Sequence, residues 1–398
     1  MRMGIEPAEA GGLEPRFREI LERALDGEEL SVADGERLLQ AEGEELRALV
    51  QVADEVRRRK VGDIVTYVVN RNINFTNICV GDCKFCAFKR DRGDQDAYTL
   101  TLEQISYKTR EALDFGATEI CMQGGLNPEL KLEDYVAMLK AIRNVSTDIH
   151  IHAFSPAELN FIARHDGLPL KEVIETLLEA GLNSVPGTAA EILADRVRNI
   201  ICPGKLSASE WQTTIKFCHS LGLPTTATMM YGHVETPREQ AEHIALVREI
   251  QSGTQGFTEF VLLPFMHENT PLQQGGIVRG GPSGADNIRV HAVARLMLAG
   301  YVDNIQTSWV KLGPKVAQMM LNAGANDLGG TLLEENISRA AGAQIQMMAP
   351  QELERLIKEV GKNPRQRTTT YGVPQIGGNL MSARGSCKIV RASLTRAA

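Results

Sequence analysis

Hydrophobic and polar positions follow two different rhythms along the chain, and the change falls near residue 62. Before that point, apolar residues recur at the spacing of one helix face. In the segment 44–62 these residues are Leu46, Leu49, Val50, Ala53 and Val56. Ser31 followed by Asp34 resembles the capping box that opens a helix, and Gly62 marks a helix end. Residues 1–62 are therefore predicted to form an N-terminal helical segment.

From about residue 63 onward, short β-rich runs alternate with longer stretches of helical periodicity. Eight runs are predicted as strands: DIVTYVVNRNINFTN, TEICMQGGL, DIHIHAFSP, NSVPGT, PTTATMMYG, FTEFVLLPF, DNIQTSW and NDLGGT. Such alternation indicates parallel βα units, and eight units over about 280 residues suit an α/β fold of the (β/α)8 TIM-barrel type. An open, doubly wound sheet is the alternative, which the lack of a Gly-rich dinucleotide fingerprint disfavours. We predict the barrel over residues 63–345 and a C-terminal helix and tail over residues 346–398.

The first predicted strand carries polar side chains on one parity and mostly apolar ones on the other. The polar positions are Asn70, Asn72, Asn74 and Thr76. Parallel strands buried on both faces are normally apolar throughout. The pattern therefore indicates either a ligand-filled barrel interior or a buried network of polar side chains that satisfy one another. The sequence leaves both interpretations open.

Composition narrows the classes of function. The 398 residues include 43 Lys and Arg against 50 Asp and Glu, a net charge of −7, so no basic surface for nucleic acid is expected. No apolar run approaches the roughly 20 residues that span a bilayer, and the first residues lack the apolar core of a signal peptide. We therefore expect a cytoplasmic protein without a membrane partner. Seven cysteines, three of them clustered, favour metal binding over a disulfide framework.

The three clustered cysteines lie in NFTNICVGDCKFCAF, at the end of the first predicted strand. Cys79, Cys83 and Cys86 have the spacing C-x3-C-x2-C. A structural zinc site needs four ligands, and no second cysteine pair is present, while His150 or His152 as the fourth ligand has no support from spacing. A [4Fe–4S] cluster normally takes four thiolates, so three thiolates leave one iron open. A small molecule with an amine and a carboxylate, such as S-adenosylmethionine, can chelate that iron.

This spacing at the end of a first barrel strand resembles the signature of the radical SAM superfamily. The resemblance implies that Cys79, Cys83 and Cys86 hold a [4Fe–4S] cluster, which reduces S-adenosylmethionine to give a 5′-deoxyadenosyl radical. It also implies that Phe85 packs on the adenine of that cofactor. The turn Gln123-Gly124-Gly125 matches the segment that receives the methionine amino group.

Two residues after later predicted strands, Ser155 and Glu191, are also expected at the cofactor site. For Glu191 the resemblance implies a contact to the ribose hydroxyls. The sequence offers a second interpretation, in which Glu191 opens a helix and complements its N-terminus. Both interpretations remain open.

Longer segments resemble the CofH family, the second subunit of FO synthase. They run from residue 68 to residue 372 and include VVNRNINFTNIC, CKFCAFKR, HIHAFSPAEL, VPGTAAEIL and GGTLLEENISRAAGA. The resemblance implies a transferase that joins the 4-hydroxybenzyl group of L-tyrosine to 5-amino-6-(D-ribitylamino)uracil in deazaflavin coenzyme biosynthesis. It also implies an external one-electron reductant and a functional partner, the first FO synthase subunit CofG. Two alternatives are a futalosine-route enzyme of menaquinone biosynthesis (aminofutalosine synthase or dehypoxanthine futalosine cyclase) and a non-catalytic zinc-binding scaffold.

Three further residues are predicted to be catalytic. His150 and His152 share one face of the third predicted strand, and Glu259 lies early in the sixth. One histidine is a candidate acceptor for a proton of the tyrosine amino or phenol group. A hydrogen-bonded core histidine is the alternative for each of the two. Trp309 is a candidate for stacking on an aromatic substrate or, alternatively, for core packing.

Overall fold

The computed structural model describes residues 13–278 and 280–374, so Cys387 and the end of the predicted tail lie outside the described residues. Its helices are α1 Pro15–Leu25, α2 Val32–Leu38, α3 Gly43–Val61, α4 Leu102–Asp114, α5 Leu132–Arg143, α6 Pro156–Asp166, α7 Leu170–Glu179, α8 Asp195–Ile201, α9 Ala208–Ser220, α10 Pro237–Thr254, α11 Pro271–Gln274, α12 Gly284–Leu298, α13 Trp309–Leu312, α14 Pro314–Met320, α15 Asn336–Ala340 and α16 Pro350–Glu359. The strands are β1 Ile64–Val68, β2 Asn70–Asn74, β3 Glu119–Gln123, β4 His150–Ala153, β5 Thr225–Tyr231, β6 Phe257–Pro264, β7 Ile305–Thr307, β8 Asp327–Gly330 and β9 Asn363–Arg367. Among the helices of the described ranges, none is long and apolar enough to cross a membrane.

The strands form a parallel barrel from two sheets that are linked by single bridges. One sheet has the order β5-β6-β7-β8-β1-β9 and the other the order β2-β3-β4. Ser184 bridges to His152 of β4, and Val185 bridges to Thr225 of β5, so the sheets meet there. On the other side, β1 continues into β2 after a single residue. Eight parallel strand positions therefore follow one another around a ring, and this confirms the predicted barrel.

Two predicted strands differ in detail from the observed ones. The first is interrupted at Val69, so that β1 pairs with β8 and β9 while β2 pairs with β3. The run NSVPGT forms single bridges and no extended strand. The physical reason lies in its Pro-Gly pair. Pro186 has no backbone N–H to donate, and a Cβ on Gly187 would lie 2.0 Å from the carbonyl oxygen of Thr226.

The polar parity of the first predicted strand forms a buried hydrogen-bond network. The Nδ2 atom of Asn70 donates to Oε1 of Glu119 at 2.8 Å, and Nδ2 of Asn72 donates to Oδ1 of Asn74 at 3.1 Å. These side chains are buried and do not line the barrel cavity described below. Of the two interpretations, the structure favours mutual satisfaction of polar groups.

The N-terminal helices pack on one side of the barrel. Helix α3 packs on α12, and α2 packs on α10, while Phe17 and Leu49 share a buried core cluster with Ile244. The predicted capping box of α2 is present: Oγ of Ser31 accepts from the backbone N–H of Asp34 at 3.1 Å, and Oδ2 of Asp34 accepts from the backbone N–H of Ser31 at 2.9 Å. The N-terminal helices therefore pack on the outer helices α10 and α12 of the barrel.

The C-terminal segment packs against the lower half of the barrel, where the strands begin. Strand β9 pairs with β1 in parallel from Ile64 opposite Asn363 to Val68 opposite Arg367. The buried side chain of Arg367 forms ion pairs with Asp327 at the start of β8 and with Glu259 near the start of β6. The predicted C-terminal helix is present as α16, and part of the predicted tail is a strand. The boundaries placed after residues 62 and 345 stay predictions.

Candidate active site

A cavity of about 360 Å³ lies at the carboxyl ends of the barrel strands. Its lining includes the predicted cofactor residues Phe85, Gln123, Gly124, Ser155 and Glu191. They follow four different strand positions and come together because the carboxyl ends of parallel strands open on one face of a barrel. Five of the six residues predicted to bind the cofactor therefore lie at one cavity, and their individual roles stay predictions.

The sixth predicted cofactor residue, Gly125, contacts the cysteine loop directly. Its backbone N–H donates to the carbonyl oxygen of Thr76 at 2.9 Å. A Cβ at this position would lie 2.2 Å from the carbonyl oxygen of Ile78, so glycine permits an approach that a larger residue would prevent. On the other side of the loop, Lys84 N–H donates to the carbonyl oxygen of Ile201 at 2.8 Å. These contacts fix the cysteine loop over the barrel mouth.

The three cysteines of this loop are partly exposed free thiols beside the cavity. Cys86 lines it, and a Cβ on Gly81 would lie 3.2 Å from Sγ of Cys79 and 4.0 Å from Sγ of Cys83. In residues 13–278 and 280–374, no three Cys, His, Asp or Glu side chains form a group that could hold a single metal ion. Thiolates around a [4Fe–4S] cluster each bind a different iron, so they need not meet at one point. The donor set fits the cluster and gives no support to a zinc site.

A buried carboxylate that the sequence analysis missed, Glu158, organises two of the predicted residues. Its Oε1 accepts the backbone N–H of Gly124 at 3.1 Å, and its Oε2 accepts the hydroxyl of Ser155 at 2.6 Å. Ser155 and Glu158 form the capping box of α6. The spacing S-x-x-E in SPAE is a visible signal for this cap, but only the fold shows that Glu158 also reaches Gly124.

Glu158 should make the stability of the protein depend on pH. Burial raises its pKa to about 7, despite hydrogen bonds that favour the carboxylate. The folded-state pKa lies above the ordinary value of 4.5. The stabilisation from this group is therefore fully present below pH 4.5 and is lost as pH rises through 7. Between about pH 5 and 8, we expect wild-type protein to lose roughly 1–3 kcal/mol more free energy of unfolding than Glu158→Gln.

Urea denaturation of both proteins across that pH range measures this difference. Glu172 is exposed on α7, and Glu172→Gln serves as the matched control, with the pH profile of wild-type protein. Parallel profiles for wild type and Glu158→Gln would contradict the assignment of the proton to Glu158.

Glu191 forms a buried ion pair with Lys205 at the cavity wall, with 2.7 Å between Oε1 and Nζ. The same Nζ lies 5.2 Å from the ring centroid of Phe85, a cation–π contact. Burial disfavours the charge of Glu191, but the cations Lys205 and Arg198 hold its pKa below the ordinary value. The prediction that Glu191 opens a helix is wrong. Helix α8 begins at Asp195, and the φ of 44° at Glu191 is incompatible with a right-handed helix.

The three predicted catalytic residues do not line the cavity. The Nε2 atom of His150 and the Nδ1 atom of His152 both lie within hydrogen-bond distance of the Ser184 hydroxyl, at 2.7 and 2.6 Å. Burial lowers the pKa of His152 to about 4, so its ring is neutral at pH 7. Glu259 is held in its ion pair with Arg367. This placement agrees with hydrogen-bonded core histidines, and catalytic roles for the three residues stay predictions.

The wall formed after β7 and β8 carries polar residues that were not among the predicted site residues. They are Gln306, Ser308, Lys311, Glu335 and Ser338. Lys311 follows a predicted strand end, which is the usual place of functional residues in a barrel and could have marked it.

Two neighbouring residues on this wall show what the sequence leaves undecided. Trp309 lines the cavity, and its buried indole N–H donates to the carbonyl oxygen of Gly330 at 2.9 Å, so core packing accounts for it. Glu335 has an identical neighbour in Glu334, whose carboxylate pairs with Arg71 at 3.0 Å. Only the fold therefore decides which of the two glutamates faces the cavity.

A parallel barrel with three cysteines in a loop over its mouth is the architecture of radical SAM enzymes. The profile described as Radical SAM superfamily matches residues 73–247, and that of the CofH/MqnC C-terminal region matches residues 254–380. Two solved structures share the fold. Methylornithine synthase PylB is 20% identical with a TM-score of 0.67, covering 87% of this chain and 97% of that one. The hydrogenase maturase HydG is 16% identical with a TM-score of 0.70, covering 92% and 79%.

Curated relatives narrow the assignment within this class. The chain is 52% identical over 324 residues to the 5-amino-6-(D-ribitylamino)uracil–L-tyrosine 4-hydroxyphenyl transferase of Methanopyrus kandleri, covering 81% of this chain and 88% of that protein. It is 51% identical over 329 residues to the transferase of the same name from Methanocaldococcus jannaschii, covering 82% and 92%. Against the FO synthase of Mycobacterium leprae it is 50% identical over 82% of this chain and 38% of that protein.

The chain belongs to the 5-amino-6-(D-ribitylamino)uracil–L-tyrosine 4-hydroxyphenyl transferase family of radical SAM enzymes. This confirms the CofH resemblance and the cofactors it implied, a [4Fe–4S] cluster and S-adenosylmethionine. It also excludes the zinc scaffold, because this family consists of enzymes, and it favours the transferase over a futalosine-route enzyme.

Proposed function

We propose that this chain transfers the 4-hydroxybenzyl group of L-tyrosine to 5-amino-6-(D-ribitylamino)uracil. The observation that carries the proposal is the 52% identity over 324 residues to a transferase named for these two substrates. The matched region is long enough to include the barrel and the loops that line its cavity. The cavity itself has the mixed lining that a zwitterionic amino acid and a polyol-bearing uracil require, with apolar walls and a few converging polar groups.

The residues beside the cysteine loop would hold the cofactors. Cys79, Cys83 and Cys86 would bind the cluster. When bound, it supplies the electron that cleaves S-adenosylmethionine and so provides the 5′-deoxyadenosyl radical that takes hydrogen from tyrosine.

The other residues of this wall would hold S-adenosylmethionine. Phe85 would offer an aromatic face for the adenine, and Nζ of Lys205 lies 5.2 Å from the centroid of that ring. Glu191 would offer its carboxylate to the ribose hydroxyls, and Gln123 and Gly124 would receive the methionine end of the cofactor. Ser155 contributes through Glu158, which orients the Gly124 backbone.

The remaining walls would exclude water and hold the substrates. Leu263, Phe265, Met266 and Leu328 make the barrel mouth apolar and keep competing hydrogen donors away. Gln306, Ser308 and Thr228 supply donors and acceptors that suit the uracil and ribityl groups. His150 and His152 lie on β4 outside the cavity lining, and they remain candidates for taking up a proton through Ser184.

The reaction also needs two partners from outside the chain. An external one-electron reductant must reduce the cluster before each cleavage of S-adenosylmethionine. A CofG-type enzyme would then use the product and close the deazaflavin ring to give FO. The resemblance to the CofH family supports a CofG-type partner. The FO synthase of M. leprae agrees with it, because that protein is more than twice as long as the region that this chain matches and so has room for a second enzyme.

A substrate panel tests the proposed function. Anaerobically reconstituted protein with reductant and S-adenosylmethionine should yield 5′-deoxyadenosine and a tyrosine–uracil adduct. We expect turnover with this substrate pair to exceed turnover with futalosine-route substrates by at least about 100-fold, because each substrate must find its own polar partners in the cavity. Mass spectrometry of the products measures both reactions.

The control in this panel is protein reconstituted without iron, which should give no 5′-deoxyadenosine. Failure to form an adduct from tyrosine and the ribitylaminouracil would sink the proposal. Efficient turnover of a futalosine-route substrate would move the chain to the other branch of its superfamily.

A further inference from the structure

The cavity has two charged walls that face each other across the barrel mouth. On the wall that follows the bridges at Ser184 and Val185, Lys205 and Glu191 neutralise each other in an ion pair. On the wall after β7 and β8, Lys311 and Glu335 both line the cavity. No ion pair within 4.0 Å joins Lys311 to any carboxylate in the part of the chain that the structure describes. The second wall therefore presents charges that have not been neutralised by direct pairing.

Lys311 retains donors for a ligand. The hydrogen bond that its Nζ makes within residues 13–278 and 280–374 is to the hydroxyl of Ser338, at 3.4 Å. An ammonium group has three N–H donors, so two remain available. Burial lowers the pKa of Lys311, and the nearby Glu335 and Cys86 oppose that shift. A cation in such a place gains most from an anionic ligand.

Glu335 retains an acceptor for a ligand. Its Oε1 is used by the backbone N–H groups of Ile337 and Ser338, at 2.8 and 3.0 Å. Its Oε2 accepts from Nδ2 of Asn72 at 3.2 Å. A carboxylate oxygen can accept two hydrogen bonds, so Oε2 has capacity for one more donor. Ser338 contacts both side chains, through its hydroxyl to Lys311 and its backbone to Glu335.

We propose that Lys311 and Glu335 bind the α-carboxylate and the α-ammonium group of the amino-acid substrate. This assignment rests on the proposed function, and it names the end of tyrosine that this wall holds. An ammonium and a carboxylate that are linked through Ser338 but not paired with each other complement the opposite charges of a zwitterion. The aminouracil substrate has no carboxylate, so it has no group that matches Lys311. S-adenosylmethionine has one, but its amine and carboxylate are needed at the open iron of the cluster.

Lys311→Met should weaken the binding of the carboxylate and little else. We expect its Kd for tyrosine to rise about 30- to 300-fold, since a hydrogen-bonded charge pair in a sheltered site is lost. Tyramine lacks the carboxylate, so its Kd should change less than about threefold, and Lys311→Arg should recover part of the tyrosine affinity. Glu335→Gln keeps the Oε1 acceptor, so it should raise the Kd for tyrosine by a smaller factor.

Calorimetric titration of tyrosine and tyramine into reconstituted enzyme with S-adenosylmethionine measures these constants, and steady-state assays add KM for each substrate. Lys315 is exposed on the neighbouring helix α14, so Lys315→Met is the matched control, with unchanged constants. Thermal melting shows whether each variant is folded. If Lys311→Met weakened the binding of tyrosine and of tyramine equally, the proposal would be overturned. An effect confined to KM for the aminouracil or for S-adenosylmethionine would also overturn it.

The calorimetric titration of tyrosine separates a failure of this inference from a failure of the proposed function. Wild-type protein that binds tyrosine but forms no adduct would refute the proposed reaction and still allow Lys311 to be judged. Wild-type protein that does not bind tyrosine at all would refute both.

Discussion

Replacement of Cys86 by serine is expected to remove the iron–sulfur cluster and to reduce adduct formation by at least about 1,000-fold, or roughly 4 kcal/mol of activation free energy. A serine hydroxyl stays protonated at neutral pH and cannot replace a thiolate on iron. Cys86 lies on the cavity wall and is partly exposed, so its substitution should leave the barrel folded. Iron and sulfide analysis, the cluster absorption spectrum and the yield of 5′-deoxyadenosine measure the effect.

Cys218 provides the matched control for this variant. It is a buried free thiol in α9, and Cys218→Ala should keep the full iron content and activity of wild-type protein. The melting temperature of iron-free Cys86→Ser should lie within a few degrees of that of iron-free wild-type protein. Retention of a complete cluster and of turnover by Cys86→Ser would contradict the assignment of this residue as a ligand.

Arg367→Met is expected to lower the free energy of unfolding by roughly 3–5 kcal/mol. Its guanidinium lies inside the barrel, with Nε 2.6 Å from Oδ2 of Asp327 and Nη2 2.9 Å from Oε2 of Glu259. It also stacks 4.1 Å from the ring centroid of Tyr371. Removal of the cation leaves two buried carboxylates without a counter-charge, which costs more than the pair itself contributes. Urea denaturation at pH 7 measures the difference.

The same substitution two residues earlier on the strand is the control. Arg365 is exposed on β9, so Arg365→Met should change the free energy of unfolding by less than about 0.5 kcal/mol. Burial raises the pKa of Glu259 to about 7, so its stabilisation is present at low pH and is lost as pH rises through 7. Arg367 opposes this rise, so Glu259 in Arg367→Met takes up its proton at a still higher pH. The variant regains stability as pH falls, and its deficit should shrink at about pH 5. Equal effects of the two substitutions would contradict the ion-pair account.

Local signals in the sequence were sufficient for most of the fold. The capping box of Ser31 and Asp34 depends only on residues three apart, and it is present as predicted. The alternation of short apolar runs with helical stretches determined the barrel, because parallel strands require crossovers of that length. The run NSVPGT was misjudged because the Pro186-Gly187 pair, which is visible in the sequence, limits its pairing, whereas the close approach of Gly187 to Thr226 appears only in the fold.

Some residues of the candidate site could likewise be recognised from local sequence, and others only from the fold. Cys79, Cys83 and Cys86 were recognisable because cluster ligands in one loop carry their spacing in the sequence. Glu158 and Lys311 were missed because their significance arises from contacts across the barrel, to Gly124 and to the cavity. The ion pair of Glu259 was also invisible in the sequence. Its partner Arg367 is 108 residues away and comes from a segment with no strand-like composition.

The sequence by itself determined the cysteine loop and the alternation of strands and helices that gives the barrel, because each depends on residues that are near one another in the chain. The tertiary structure alone decided which charges are neutralised and which face the cavity. It pairs Lys205 with Glu191 directly, whereas in the described part of the chain no carboxylate lies within 4.0 Å of the Lys311 ammonium group. The physical reason is that burial and Coulomb interactions depend on distances in space, which residues far apart in sequence acquire only when the barrel closes.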